Sequence, residues 1–374
     1  MLKRLIPSAA RPGAKSLYWR ALPSASKRAR LARRLRGQSA WCRELGSPLY
    51  AGLLERVSAD VELGGPCWAV LRAAGAAPAG ADDALPLRFM AGVHRLVLLG
   101  QAPMLASYYP SAGGTAQGDP WRAFIRTVED HAERLRDALQ RPVQTNEVSR
   151  AAALVGGFLV AARQQERPLR ILELGASAGL NLWWDRYRYE GDGAAWGNPM
   201  SPVRFQGVYV DGTPPFEVQT QVVGRAGCDL NPLDPSSSDD RLTLVSLVWP
   251  DQLQRFHRLR AALDLARREP VRVERADALE WLAAQLEHPV PGVTTLVFHS
   301  FFEQYLPDAG RERLHAILAE GGARASTTAP LAHLRMGWSG VGAEVELTTW
   351  PGEATRLIAT ADNQGGSVRW LGGP

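Results

Sequence analysis

From Ser39 to Gln165 apolar residues recur at helical spacing, as in "LRFMAGVHRLVLLGQ" and "RAFIRTVEDHAERLRDALQ", and no run alternates in the manner of a strand. The last stretch of this half, "NEVSRAAALVGGFLVAARQQ", predicts a helix capped by Asn146, with Val148, Ala152, Val155, Leu159 and Ala162 along one face. Beyond Leu169 the pattern changes to short apolar runs separated by helical segments: "RILEL", "VVGRAGCDL", "VRVERADAL", "TTLVFHS", "PLAHLRMG", "AEVELTTW" and "TRLIATAD". Strands alternating with helices predict a mostly parallel sheet with right-handed crossovers, and the last two runs, joined by "PGEA", predict an antiparallel hairpin. Gly321-Gly322 predicts the end of the crossover helix "RERLHAILAE".

The pattern divides the chain into residues 1–38, a helical cap domain over 39–165, and an α/β domain over 166–374. Composition agrees with a folded chain, since 374 residues with 45% apolar and 22% charged side chains suffice for two domains. The net charge of +5 is unevenly placed. Residues 1–36 hold eleven Lys or Arg and no acid, leaving the remainder mildly acidic. Such an arm suits nucleic acid or an anionic surface, yet its few apolar positions and mutual repulsion predict poorly ordered sequence. An acidic body argues against a broad phosphate-binding face.

Three cysteines far apart predict neither disulfides nor a zinc site and point to a reducing, cytoplasmic setting. No apolar run reaches the roughly 18 residues that span a bilayer. His299 and Glu303 stand four apart without a third ligand in register, so no metal site is predicted.

The candidate chemistry concentrates in "RILELGASAGLNL", a strand running into a glycine turn. Gly175-Ala176-Ser177-Ala178-Gly179 matches the Gly-x-Ser-x-Gly elbow of serine hydrolases. The same residues, as Glu173-x-Gly175-x-Ser177-x-Gly179, resemble the acidic glycine loop of S-adenosylmethionine-dependent methyltransferases. A hydrolase elbow comes after several strands, whereas here the preceding half is helical; a methyltransferase places this loop after its first strand. The glycines also suit backbone amides approaching a ligand at a pocket.

The runs "SPLYAGLL", "VQTNEVSRAAAL", "LELGASAGLNLWWDRYRY", "GCDLNPLDP", "VWPDQ" and "VFHSFFEQYLP" resemble those of bacterial proteins in the domain of unknown function 2332 family, over roughly residues 40 to 372. That resemblance implies a Rossmann-like methyltransferase sheet behind a helical region. The methyltransferase likeness in turn implies S-adenosylmethionine as cofactor, and a helical cap that narrows access suits a small molecule as substrate better than duplex nucleic acid. The likeness also implies that Glu173 orients the ammonium of the methionine moiety and that Asp229, ending the second strand, receives the ribose hydroxyls. Asp277 and Ala278 would meet the adenine, with Gly175, Ser177, Gly179, Asn181 and Ser300 completing the cofactor set. His299, Glu303 and Tyr305 after the fourth strand are the catalytic candidates, His299 as general base. Asn146, Trp249 and Asp251 are substrate candidates, although Asp251 after Pro250 reads equally as the cap of the helix "QLQRFHRLRAALDLA". A binding module without turnover, or an RNA-modifying protein guided by the basic arm, are the other expectations.

Overall fold

A computed structural model describes residues 26–72, 84–140 and 143–372. They form a mixed α/β protein of two compact units. One unit comprises the described residues up to Thr145 together with Ser236–Arg260; the other comprises Asn146–Pro235 and the chain from Ala261 onward. Helix Arg150–Gln165 therefore belongs with the sheet, and the segment after "DPSSSDD" belongs with the helices. No helix among the described residues is long and apolar enough to cross a membrane.

The helical unit opens with α1 (Lys27–Glu44), whose N-cap Ser26 accepts from the Ala29 amide. The expected poorly ordered arm thus fails from Ser26 onward, while residues 1–25 lie outside the described residues. The reason is a stripe beneath the charges: Leu31, Ala32, Leu35, Ser39 and Cys42 are buried on one side of α1. That side packs on α2 (Pro48–Leu63), where Ser39 Oγ donates to the Ala51 carbonyl at 2.8 Å and Ser58 Oγ to the Ala32 carbonyl at 3.0 Å. Leu35, fully buried, is the packing anchor. Leu35→Ala is expected to cost about 2–5 kcal/mol, the usual range for emptying a core leucine site, read as a fall in the denaturation midpoint. Farther along, α3 (Pro66–Leu71), α4 (Leu85–Leu98), α5 (Pro103–Ala106), α6 (Trp121–Asp130) and α7 (Ala132–Ala138) complete the helical run before Thr145. His94 of α4 is wholly buried between the Ser246 carbonyl at 3.0 Å and Ser111 Oγ at 2.7 Å, and burial holds its pKa down at about 4. His94 and Tyr109 are both wholly buried core residues.

The second unit starts with α8 (Arg150–Gln165) and β1 (Leu169–Leu174). The helix begins three residues later than predicted, with Ser149 rather than Asn146 at the N-cap position. Between β1 and the next sheet strand, β2 (Arg188–Gly191), β3 (Ala194–Gly197) and β4 (Arg204–Phe205) form a small sheet on their own. The large sheet adds β5 (Tyr209–Asp211), β6 (Val222–Asp229), β7 (Val273–Arg275), β8 (Thr294–Ser300), β9 (Leu331–Trp338), β10 (Ala343–Trp350), β11 (Ala354–Ala361) and β12 (Val368–Trp370). Its nine strands run in the order β5-β12-β11-β10-β9-β8-β1-β6-β7. The five from β7 to β9 are parallel, and β9 through β12 turn back antiparallel.

Register assigns the two faces. Glu173 pairs with Phe298 and Leu172 with Val297, so Glu173 and Phe298 share one face and Leu172, Val297 and His299 the other. On the first face Phe298 meets Phe158 of α8 edge-on at 5.0 Å. On the second, Leu172 and Val297 join a core with Trp281 of α11 (Ala278–Leu286) and Leu314 of α12 (Asp308–Arg324). Helix α12 continues through Gly321-Gly322, the expected stop, to end at Arg324. The glycines are there for close approach: a Cβ on Gly322 would lie 2.5 Å from the Trp350 ring.

Candidate functional site

Strand β1 lies between β6 and β8 and ends at Leu174, where the turn 175–179 begins. Three of its residues are left-handed, with φ of +67° at Gly175, +55° at Ser177 and +71° at Gly179. Glycine adopts such angles without penalty, and a serine at φ > 0 costs about 1–2 kcal/mol. The turn's amides are engaged inside the protein. Ala176 N–H donates to the Cys228 carbonyl at 3.0 Å and Gly179 N–H to the Ala176 carbonyl at 2.7 Å. Ser177 N–H donates to Asp229 Oδ2 at 2.9 Å, and the Ala178 and Leu180 amides both donate to Asn146 Oδ1, at 3.2 and 3.1 Å. The expectation that these amides open onto a ligand is therefore corrected. A Cβ on Gly175 would meet the Phe302 ring, and one on Gly179 would meet Val273, each at 3.0 Å. Both glycines serve the tightness of the turn.

What the turn presents instead is oxygen. Glu173, Ser177 and Asn181 are each 3% exposed, and Glu173 Oε2, Ser177 Oγ and Asn181 Oδ1 have no hydrogen-bond partner. Buried polar atoms are nearly always paired, so three orphans within nine residues point to a missing donor. Burial pushes the Glu173 carboxyl well above the ordinary range; the bond from Asn181 and the charge of Arg150 oppose this, and Asp229 adds to it.

Arg150 is the residue the sequence reading missed. It is the first residue of α8, where the helix dipole disfavours a cation. Its guanidinium lies 4.6 Å from the centre of the Phe301 ring and donates to Ser300 Oγ at 3.2 Å. Phe301 is itself left-handed, with φ +55°. An arginine opening a helix, where an acid is favoured, was the available signal.

Asp229, at the end of β6, is committed at both oxygens: Oδ2 to Ser177 N–H and Oδ1 to Asn231 N–H at 2.8 Å. Asp277 caps α11 through Oδ1, which accepts from the Leu279 and Glu280 amides. Ala278 is buried in the core beside it. Asn146, expected as a helix cap and substrate contact, pins the turn.

The catalytic candidates fall on the other side of the sheet. His299 Nε2 lies 3.1 Å from His333 Nε2 and 3.4 Å from Glu303 Oε1, while its Nδ1 is buried without a partner. Arg335 Nε donates to Glu303 Oε1 at 3.0 Å, and Arg335 also pairs with Glu346. Burial holds both rings below their ordinary pKa, so they are neutral at neutral pH. Burial alone would raise the Glu303 carboxyl, but the His299 bond and surrounding positive charge hold it at about 2. The stability Glu303 contributes is present above its ordinary value of 4.5 and lost as pH falls through about 2. Acid unfolding followed by circular dichroism is expected to show this loss in the parent and not in Glu303→Gln. Tyr305 is 79% exposed and its hydroxyl joins neither group.

Trp249 and Asp251 are engaged within the helical unit. Trp249 is buried in its core, and Asp251 accepts from Ser47 Oγ at 2.5 Å and from Leu49 N–H at 3.0 Å. The aspartate caps α2, not the helix next to it in the chain. Among the described residues no group of three or more His, Cys, Asp or Glu is placed to hold a metal ion.

No curated protein and no solved structure matches the chain. A family model described as an uncharacterized protein conserved in bacteria, DUF2332, matches residues 32–370. With all but its two ends matched, the chain belongs to the DUF2332 family of bacterial proteins.

Proposed function

We propose that the protein is an S-adenosylmethionine-dependent methyltransferase acting on a small molecule, with the cofactor held at the turn 175–179. The observation that carries this reading is the set of orphaned oxygens on Glu173, Ser177 and Asn181 at the carboxyl end of the central parallel strand. In sheets of this kind ligands bind outside the carboxyl ends, where the strand order reverses, and β1 with β8 is that point in the order β7-β6-β1-β8-β9. A primary ammonium carries three N–H donors and suits these acceptors. Arg150 suits the carboxylate of the same amino-acid moiety, and Asp277, capping α11 through Oδ1, keeps Oδ2 for an adenine amino group. When bound, the cofactor supplies an electrophilic methyl group; the chain's part is to align donor and acceptor and keep water out.

A serine hydrolase is disfavoured. Ser177 Oγ has no hydrogen-bond partner, hence no histidine base, and β1 is the first strand of its sheet among the described residues. One observation favours binding without turnover: His299 and Glu303 are tied into a network on the face opposite Glu173. Calorimetric titration of Ser177→Ala with S-adenosylmethionine, beside an esterase assay of the parent, tests the assignment. Affinity is expected to fall no more than about tenfold, the worth of one hydrogen bond of about 0.5–1.5 kcal/mol, and the parent is expected to lack esterase activity. Esterase activity abolished by Ser177→Ala would overturn the reading.

A further inference from the structure

Ser111 lies on the short turn Pro110–Ala112, in the same compact unit as His94 of α4 and the segment Ser236–Arg260. Its Oγ is 2.7 Å from His94 Nε2, and His94 Nδ1 is 3.0 Å from the carbonyl of Ser246, the last residue of α9 (Ser238–Ser246). Burial keeps the ring neutral above about pH 4. A carbonyl can only accept, so Nδ1 carries the single ring proton and Nε2 is bare. The Ser111 hydroxyl therefore donates to His94. A serine bonded to a base whose other nitrogen is oriented by a third group is the arrangement of an activated nucleophile.

Two features decide what the pair can do. Access is the first: Ser111 is half-buried, Ala112 and Gly113 after it are exposed, and a Cβ on Gly113 would meet nothing within 4 Å. The second is the state of the neighbouring amides. Ser111 N–H donates to the Pro250 carbonyl at 3.0 Å, Ala112 N–H to the Tyr109 carbonyl at 2.9 Å and Gly113 N–H to the Pro110 carbonyl at 2.9 Å. None of these three is left to stabilise an oxyanion, the contribution that is usually largest in acyl transfer. The hydroxyl has a proton acceptor, but the carbonyl it attacks has no such help, so the acyl group must bring a good leaving group of its own.

We infer that Ser111 is a nucleophilic serine that takes one acyl group from an activated ester and keeps it. Oγ bonds to the acyl carbon, and the bond from that carbon to the leaving oxygen breaks, the oxygen taking the electron pair. The Oγ proton passes to His94 Nε2 and on to the departing group. Hydrolysis of the adduct would pass through the same unstabilised oxyanion with an ordinary alkoxide to expel, so the acyl group stays.

The test treats the full chain with p-nitrophenyl acetate. A burst of at most one equivalent of p-nitrophenolate is expected, without steady turnover, and peptide mass spectrometry is expected to place the acetyl group on Ser111. Ser107 is the internal control, an exposed serine whose Oγ donates to the Met104 carbonyl at 2.9 Å. Ser111 is expected to acetylate at least about tenfold faster than Ser107, short of the 10²–10⁴-fold usual for a positioned base because a ring of such low basicity assists weakly. His94→Gln keeps a donor for Ser246 and an acceptor for Ser111 but no base, and is expected to bring Ser111 down to the rate of Ser107. If that variant does not fold, the ratio in the parent decides. The burst is expected to persist in Ser177→Ala, which separates it from a hydrolase at the turn 175–179. The inference is overturned if Ser111 is acetylated no faster than Ser107, if folded His94→Gln reacts as fast as the parent, or if the parent releases p-nitrophenolate continuously and Ser111→Ala does not.

Discussion

Glu173→Gln is expected to bind S-adenosylmethionine at least about thirtyfold more weakly than the parent while melting at an equal or higher temperature. The two effects have one cause. Glu173 is buried and holds its proton in the folded protein well above the ordinary carboxylate range, so without ligand it resembles glutamine already. Only with a cation beside it does it ionise, and glutamine cannot follow. Truncating one partner of a buried, hydrogen-bonded charge pair costs about 2–5 kcal/mol, and each 1.4 kcal/mol is about tenfold in affinity. The stability effect has a definite sign. Because the folded state keeps a proton that the unfolded chain releases near its ordinary value of 4.5, the parent loses stability as pH rises from there toward the folded value, by about 1.4 kcal/mol per pH unit. The melting advantage of Glu173→Gln therefore grows with pH. Melting curves that shift in parallel from pH 5 to 8 would count against a buried neutral Glu173.

The second large effect is expected at Asn146. Its single Oδ1 satisfies the amides of Ala178 and Leu180, and it is 8% exposed. Asn146→Ala removes the acceptor and strands both donors, each at about 1–3 kcal/mol. A total loss of about 2–6 kcal/mol is expected, together with a turn too loose to present Ser177 and Asn181. Asn146→Asp keeps an acceptor in the same place and is expected to recover most of the stability. Chemical denaturation of the two variants separates these outcomes: equal losses in Ala and Asp would mean that the side chain fills space and does not pin the turn.

Much of this was legible in the chain. "RILEL" and "TTLVFHS" are apolar runs bounded by glycine or polar residues, and they became β1 and β8 in the middle of the sheet. The stripe of Leu31, Ala32 and Leu35 was also present, hidden among eleven basic residues. What was not legible is tertiary. Alternation says that Glu173 and His299 each face one way, but only the pairing of Glu173 with Phe298 reveals that they face opposite ways. Asn146 and Asp251 both carried cap chemistry, and each used it on a segment distant in sequence: Asn146 on the glycine turn, Asp251 on α2. Helix α12 ran past Gly321-Gly322 because Trp350 needed the space, and that contact comes from β10.

Titration of the parent chain with S-adenosylmethionine from pH 5 to 8 tests the central claim most directly. The account predicts saturable one-to-one binding whose affinity rises with pH and levels off once Glu173 is ionised in the free protein, with a proton released per ligand bound over the rising part. Absence of heat at millimolar cofactor, or binding that ignores pH across this range, would contradict it.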